Sequence, residues 1–121
     1  MNENTVELFE LVGEWTTLPD IAEALDIKVT RVHALINEGQ LIALRDPETK
    51  VRKVPALFVG EDRVLEPLPG TLQVLKDSGF TEEESIKWLY TEDESLPGRP
   101  IDALVDGRKT EIRRRAQALA W

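Results

Sequence analysis

Between residues 17 and 39 two helix signatures stand so close together that only a tight corner can join them. Thr17-Leu18-Pro19-Asp20 reads as a helix start. The Thr17 hydroxyl can cap a backbone N–H, and Pro19 falls in the first turn, where a missing N–H costs nothing. Ile21, Ala22 and Leu25 then line one helical face. Asp26-Ile27-Lys28 forms a tight connection, and Val29 to Glu38 makes a second helix with Val32, Leu35 and Ile36 inward, stopped by Gly39. Two short helices across a three-residue turn form the helix-turn-helix arrangement.

Ahead of this pair, Val6, Phe9, Leu11, Val12 and Trp15 recur at helical spacing after Asn4 and Thr5. They predict an amphipathic helix that ends near Gly13 and packs beneath the pair. Behind it, Leu41-Ile42-Ala43-Leu44 reads as a strand, Asp46-Pro47-Glu48-Thr49-Lys50 as a turn, and Val51-Arg52-Lys53-Val54 as the returning strand. This hairpin is a wing, and residues 1–60 form one winged unit. With 121 residues, 41% of them hydrophobic, the chain can build one compact domain or two small lobes sharing a core.

Residues 61–121 read as a small helical domain. Thr71 to Ser78 places Leu72, Val74 and Leu75 on a helix ending at Gly79, and Thr81-Glu82-Glu83-Glu84 is a capping box that opens the next. Ile86, Trp88, Leu89 and Tyr90 supply its apolar residues. Thr91 to Pro100 is a polar, proline-containing loop. Pro100 to Val105 is a short helix stopped by Gly107, and Lys109 to Trp121 a final one with Ile112, Ala116 and Leu119 inward. Trp15 and Trp88 are expected in the core, while Trp121 either packs down or marks an interface. No long linker separates the halves, so they are expected to pack together. The fold class is mainly α with a small β-hairpin wing: a winged helix-turn-helix followed by a small helical C-terminal domain.

The charge is unevenly placed. Residues 1–27 carry seven acids and no Lys or Arg, residues 28–53 six bases against three acids, and residues 54–121 nine against thirteen; −7, +3 and −4 sum to −8. The net total argues against a general nucleic-acid coating protein. The one net-basic stretch, however, is the second helix with its wing, flanked by acidic regions that would repel a polyanion in any other orientation. In this arrangement the start of the second helix enters the DNA major groove, which turns Lys28, Thr30, Arg31 and His33 outward, with Asn37 further along. Arg31 is the foremost base reader, because a guanidinium meets guanine O6 and N7 with two parallel hydrogen bonds. Lys28, Arg45, Lys50, Arg52 and Lys53 are read as phosphate contacts, which set position and affinity.

The run from Thr17 to Leu44, with Ile21-Ala22, Leu25, Ile27, Val32, Leu35-Ile36 and Gly39-Gln40-Leu41, resembles the helix-turn-helix of MerR-like and excisionase-like winged regulators. The whole chain is similar to the small actinobacterial winged helix-turn-helix DNA-binding family that carries its own C-terminal domain. Its second half bears most of that likeness, through Leu68-Pro69-Gly70, Gly79-Phe80, Lys87-Trp88-Leu89-Tyr90-Thr91, Arg99-Pro100-Ile101-Asp102-Ala103-Leu104 and Arg114-Arg115-Ala116-Gln117-Ala118. The resemblance implies binding of double-stranded DNA by the N-terminal half, as a transcriptional regulator or nucleoid-associated protein. It also implies control by a Ser/Thr protein kinase, with Thr5, Thr16 and Thr17 as candidate acceptors. The stretch from Trp88 to Leu104 resembles the toxin-binding domain of Xre/ParS-type antitoxins, and this sets the alternative: a protein-interaction module or antitoxin-like adaptor acting on a protein partner through the C-terminal domain.

Other classes are excluded by what the sequence lacks. Without cysteine there are no disulfides, thiol catalysis or zinc fingers, which fits a reducing cytoplasm. The apolar runs are short and the N-terminus has no signal-peptide pattern, so a cytoplasmic, non-membrane protein is expected. A single histidine, His33, has no partners for a metal, and Asp102 with Asp106 is read as helix-start charge. Glu82-Glu83-Glu84 belongs to the cap and Glu92-Asp93-Glu94 to a solvated loop. With no catalytic motif, neither an enzyme nor a cofactor is expected. No heptad or dimer helix appears, which points to a monomer or weak dimer.

Overall fold

In the computed structural model, residues 3–60, 62–93 and 98–119 are described. The chain order is α1 (Glu3–Val12), β1 (Trp15–Thr17), α2 (Leu18–Leu25), α3 (Val29–Asn37), β2 (Leu44–Arg45), β3 (Arg52–Pro55), a single 3-10 turn (Ala56–Phe58), α4 (Leu68–Asp77), α5 (Glu82–Tyr90), α6 (Pro100–Val105) and α7 (Lys109–Ala118). The strands form one antiparallel sheet in the order β1-β3-β2. The architecture is mainly helical with a small wing, as the residue pattern predicts.

Local chemistry sets most of the helix ends. Thr17 caps α2 through its hydroxyl, which accepts from the Asp20 N–H at 3.3 Å, with Pro19 in the first turn. The corner to α3 bends at Asp26 in the left-handed region, φ 55°, a conformation that aspartate tolerates better than most residues. Gly39, at φ 79°, ends the α3 region as its N–H reaches the Ile36 carbonyl at 3.1 Å. The capping box of α5 is complete: Thr81 Oγ1 accepts from the Glu84 N–H at 3.1 Å, and Glu84 Oε1 from the Thr81 N–H at 2.9 Å.

The structure corrects the sequence reading at several points. Leu41, Ile42 and Ala43 are not a strand; all three are buried in succession, whereas the faces of a strand alternate, so the strand begins only at Leu44. Trp15 belongs to β1, which pairs with β3 across Trp15↔Pro55, Thr16↔Val54 and Thr17↔Lys53. Its ring stacks on Phe9 at 4.0 Å, and its Nε1 donates to the Phe9 carbonyl at 3.2 Å. Both Trp15 and Trp88 are half-buried at the margin of the core rather than inside it. The main partner of α1 is α5 rather than the helix pair. Helix α4 starts at Leu68, ahead of the expected Thr71, because Pro69 fits the first turn and Thr71 turns inward, its hydroxyl donating to the Pro67 carbonyl at 3.0 Å. Leu119, expected inward with Ile112 and Ala116, is exposed at the C-cap just past the end of α7. Trp121 lies outside the described residues.

One continuous core joins the two halves. Ile21, Val32, Leu41, Val54 and Phe58 belong to the same apolar cluster as Leu68, Leu75, Ile86, Leu89, Tyr90, Ile101, Leu104 and Ile112. At the seam the Phe58 and Tyr90 rings lie 6.3 Å apart. Burial pushes the Tyr90 phenol well above its ordinary pKa, so it remains uncharged. Arg99 sits over its ring, 5.2 Å from the centroid, and grips Asp102 with two bonds of 2.8 Å. The Arg99 hydrogen bonds hold Asp102 below its ordinary pKa, as a paired carboxylate, and among the described residues no cluster of His, Cys, Asp or Glu is suited to a metal. Among those residues, too, no helix is long and apolar enough to cross a membrane.

Phe58 is fully buried, so Phe58→Ala is expected to cost about 3–5 kcal/mol. Because the core is shared, urea unfolding followed by tryptophan fluorescence and by circular dichroism should shift together as one transition. Two separated transitions would show that the halves unfold independently.

Candidate nucleic-acid interface

Helix α3 is oriented by what it buries. Val32, Leu35 and Ile36 point into the core, and Lys28, Thr30, Arg31, His33 and Asn37 are all exposed. The corner to α2 is held by the Ile27 N–H on the Ala22 carbonyl at 3.0 Å. Lys28 occupies the N-cap position in an extended conformation, with no side chain capping the helix start. Arg31 leans along the helix axis, its Nη1 3.7 Å from Glu38 Oε1, and Gln40 Nε2 donates to the other Glu38 oxygen at 3.3 Å. About half of each side chain of this ion pair is exposed, and such pairs contribute only about 0–1 kcal/mol. The guanidinium is therefore readily released to another acceptor.

The wing is organised by Asp46, which pattern reading assigned only to the turn. Its Oδ1 accepts from the N–H groups of Glu48 and Thr49 at 2.8 and 3.3 Å, and its Oδ2 accepts from Lys53 Nζ at 2.9 Å. The Lys53 hydrogen bond, followed by the Glu48 N–H, holds the carboxyl below its ordinary pKa. Lys50 is in the left-handed region at φ 65°, and its Nζ donates to the Pro47 carbonyl at 2.9 Å. Arg45 Nη1 in turn donates to the Lys50 carbonyl at 2.7 Å. Lys53 is only a quarter exposed and helps to hold the wing. Strand register sets Arg45 directly opposite Arg52, a like-charge pair that is unfavourable unless an anion sits against it.

The predicted positions thus form two groups, one on the outer face of α3 and one on the wing. Pattern reading missed Glu38 and Asp46, the acids that engage these cations. Asp46 was legible in principle: an aspartate opening a turn captures the N–H two residues on. Of the candidate phosphate acceptors, Thr5 is half-buried on α1, Thr16 lies opposite Val54 in β1, and the Thr17 hydroxyl is engaged as the α2 cap.

A helix pair at a tight corner, a strand before it and a two-stranded wing behind it define the winged helix-turn-helix class. Residues 10–59 match the family model described as DNA-binding protein Rv2175c, wHTH domain, and residues 65–120 match the Rv2175c C-terminal domain of unknown function. The chain belongs to the Rv2175c family. It is 36% identical over 117 residues to DNA-binding protein Rv2175c of Mycobacterium tuberculosis (strain ATCC 25618 / H37Rv), covering 86% of this chain and 79% of that one. The NMR structure of Rv2175c matches with a TM-score of 0.79 at 34% identity, covering 89% of this chain and 82% of that chain.

A carboxyl whose pKa is depressed by folding adds stability above its unfolded value, about 3.9, and loses it as pH falls through the folded value. NMR titration of the Asp46 carboxyl is expected to give a midpoint below the ordinary aspartate value, moving upward in Lys53→Met. An unchanged midpoint in that variant would mean that Lys53 does not hold Asp46.

Proposed function

We propose that this chain binds duplex DNA with α3 in the major groove and the wing against the neighbouring phosphate backbone, acting as a transcriptional regulator or nucleoid-associated protein. The observation that carries the reading is the outward face of α3, where Lys28, Thr30, Arg31, His33 and Asn37 are all open while the opposite face is locked into the core. Arg31 is the base reader, and a bidentate contact to guanine contributes about 1–3 kcal/mol of discrimination. Lys28 at the uncapped start of α3, with Arg45 and Arg52 facing each other on the wing, supplies backbone contacts that fix register without reading sequence. A phosphate between the two arginines relieves their mutual repulsion. The acids Glu7 and Glu10 of α1 and Glu14 just after it repel DNA from that side and favour one docking orientation. The name of the Mycobacterium tuberculosis relative, a DNA-binding protein, supports the same reading.

Fluorescence anisotropy of labelled duplex DNA against salt tests it. Each phosphate contact adds about 0.9 to the negative log–log slope, so Lys28, Arg45 and Arg52 predict a contribution of about −3 from this face. Arg31→Ala should weaken binding about 5- to 150-fold at the preferred sequence. Arg52→Gln should weaken all sequences alike and make the slope shallower by about 0.9. Absence of binding at low salt, or binding indifferent to both substitutions, overturns the proposal.

A further inference from the structure

Cations in this protein are committed unevenly. In the winged half, Arg31 pairs with Glu38 and Lys53 with Asp46, while Arg45 and Lys50 donate to wing carbonyls. In the helical half lies a denser positive run. Residues 108–115 hold five bases, Arg108, Lys109, Arg113, Arg114 and Arg115, against Glu111, a net of +4. Arg115 is tied to Glu111 at 3.2 Å and to Asp93 at 3.5 Å. Arg108, Arg113 and Arg114 are exposed and form no ion pair among the described residues.

The register of α7 presents these side chains. Ile112 and Ala116 are fully buried, which turns Thr110, Arg113, Arg114 and Gln117 to solvent. Arg114 borders a shallow hollow with Thr110, Glu111 and Arg115. Arg113 lies across Gly70 of α4, where an added Cβ would stand 2.5 Å from its Nη2. The missing side chain at Gly70 lets the guanidinium rest on α4 and stay open to solvent. Arg108 extends the patch ahead of the helix.

We infer that α7 is a second phosphate-contacting surface, on which Arg108, Arg113 and Arg114 bind the backbone of duplex DNA in addition to the α3 and wing interface. This rests on the duplex-binding reading above. Among the described residues, the outward side chains of α7 from Thr110 to Gln117 are Thr110, Arg113, Arg114 and Gln117, all polar or charged, and the exposed apolar groups Ala118 and Leu119 lie beyond them at the helix end, so charge is what this stretch offers. With a strongly negative chain around it, a polyanion is drawn only to faces of local positive charge. Residues 28–53 provide one such face and residues 108–115 the other.

The test is a salt titration of the full-length protein on a mixed-sequence duplex. It compares wild type, Arg52→Gln, the triple variant Arg108→Gln, Arg113→Gln, Arg114→Gln, and the same three positions changed to Lys. The glutamine variant should still bind, with a log–log slope shallower by about 2 to 3. The lysine variant should restore the wild-type slope, because a phosphate contact needs charge rather than a planar fork. If the glutamine variant matches wild type in affinity and slope while Arg52→Gln is weakened, this inference falls and the α3 and wing interface stands. If wild type itself shows no salt-dependent binding, the duplex-binding reading falls and takes this inference with it. Thermal unfolding and sedimentation of the glutamine variant complete the design. A lower oligomer in that variant alone would overturn the inference, by showing that the arginines contact a second copy instead.

Discussion

The pairing of β3 on both of its edges is the constraint on which the winged half depends. One edge takes β1 and the other takes β2. Since β1 runs directly into the Thr17 cap, the same ladder that holds the wing also sets where α2 begins, and the corner at Asp26 then sets α3. Val54 anchors the ladder, fully buried, while Arg52 and Lys53 are half-buried. The chain then passes through Phe58 to the seam with Tyr90. A segment of seven residues, 52–58, is therefore both the centre of the sheet and the joint with the helical half.

Elements with a local cause were legible in the sequence. The Thr17 cap, the Gly39 stop, the Thr81–Glu84 box and the buried stripe of α3 each follow from groups a few residues apart, and the chain forms them as written. Strand β1 was not legible, because three residues show no period and their partners lie about forty positions later. Leu68-Pro69-Gly70 looks like a turn, yet proline also suits a helix start. Only the packing of α4 on α7 separates the two. The placement of α1 on α5 is likewise a tertiary choice, which amphipathic spacing cannot express.

The candidate site was legible as a set of residue types and much less as a set of relationships. That Arg31 and His33 face outward follows from Val32, Leu35 and Ile36 facing inward. That Arg31 leans on Glu38, and that Lys53 serves Asp46, depends on side-chain reach along a helix and across a hairpin. The charge sum of a segment overstates what is free to bind, because it counts engaged and open cations alike. In the winged half this distinction is large; on α7 it is small.

The internal bonding of the wing also bears on how it meets a ligand. Asp46, Lys50, Arg45 and Lys53 tie the turn to itself through carbonyl and carboxylate acceptors, so the tip is shaped before anything arrives. Ordering a flexible loop costs about 0.5–1.5 kcal/mol for each side chain immobilised, and a pre-shaped tip avoids much of that cost. On the proposed reading, docking is then close to a rigid-body encounter. A pre-shaped tip ties the heat capacity change expected of such docking to the surface covered rather than to a segment folding.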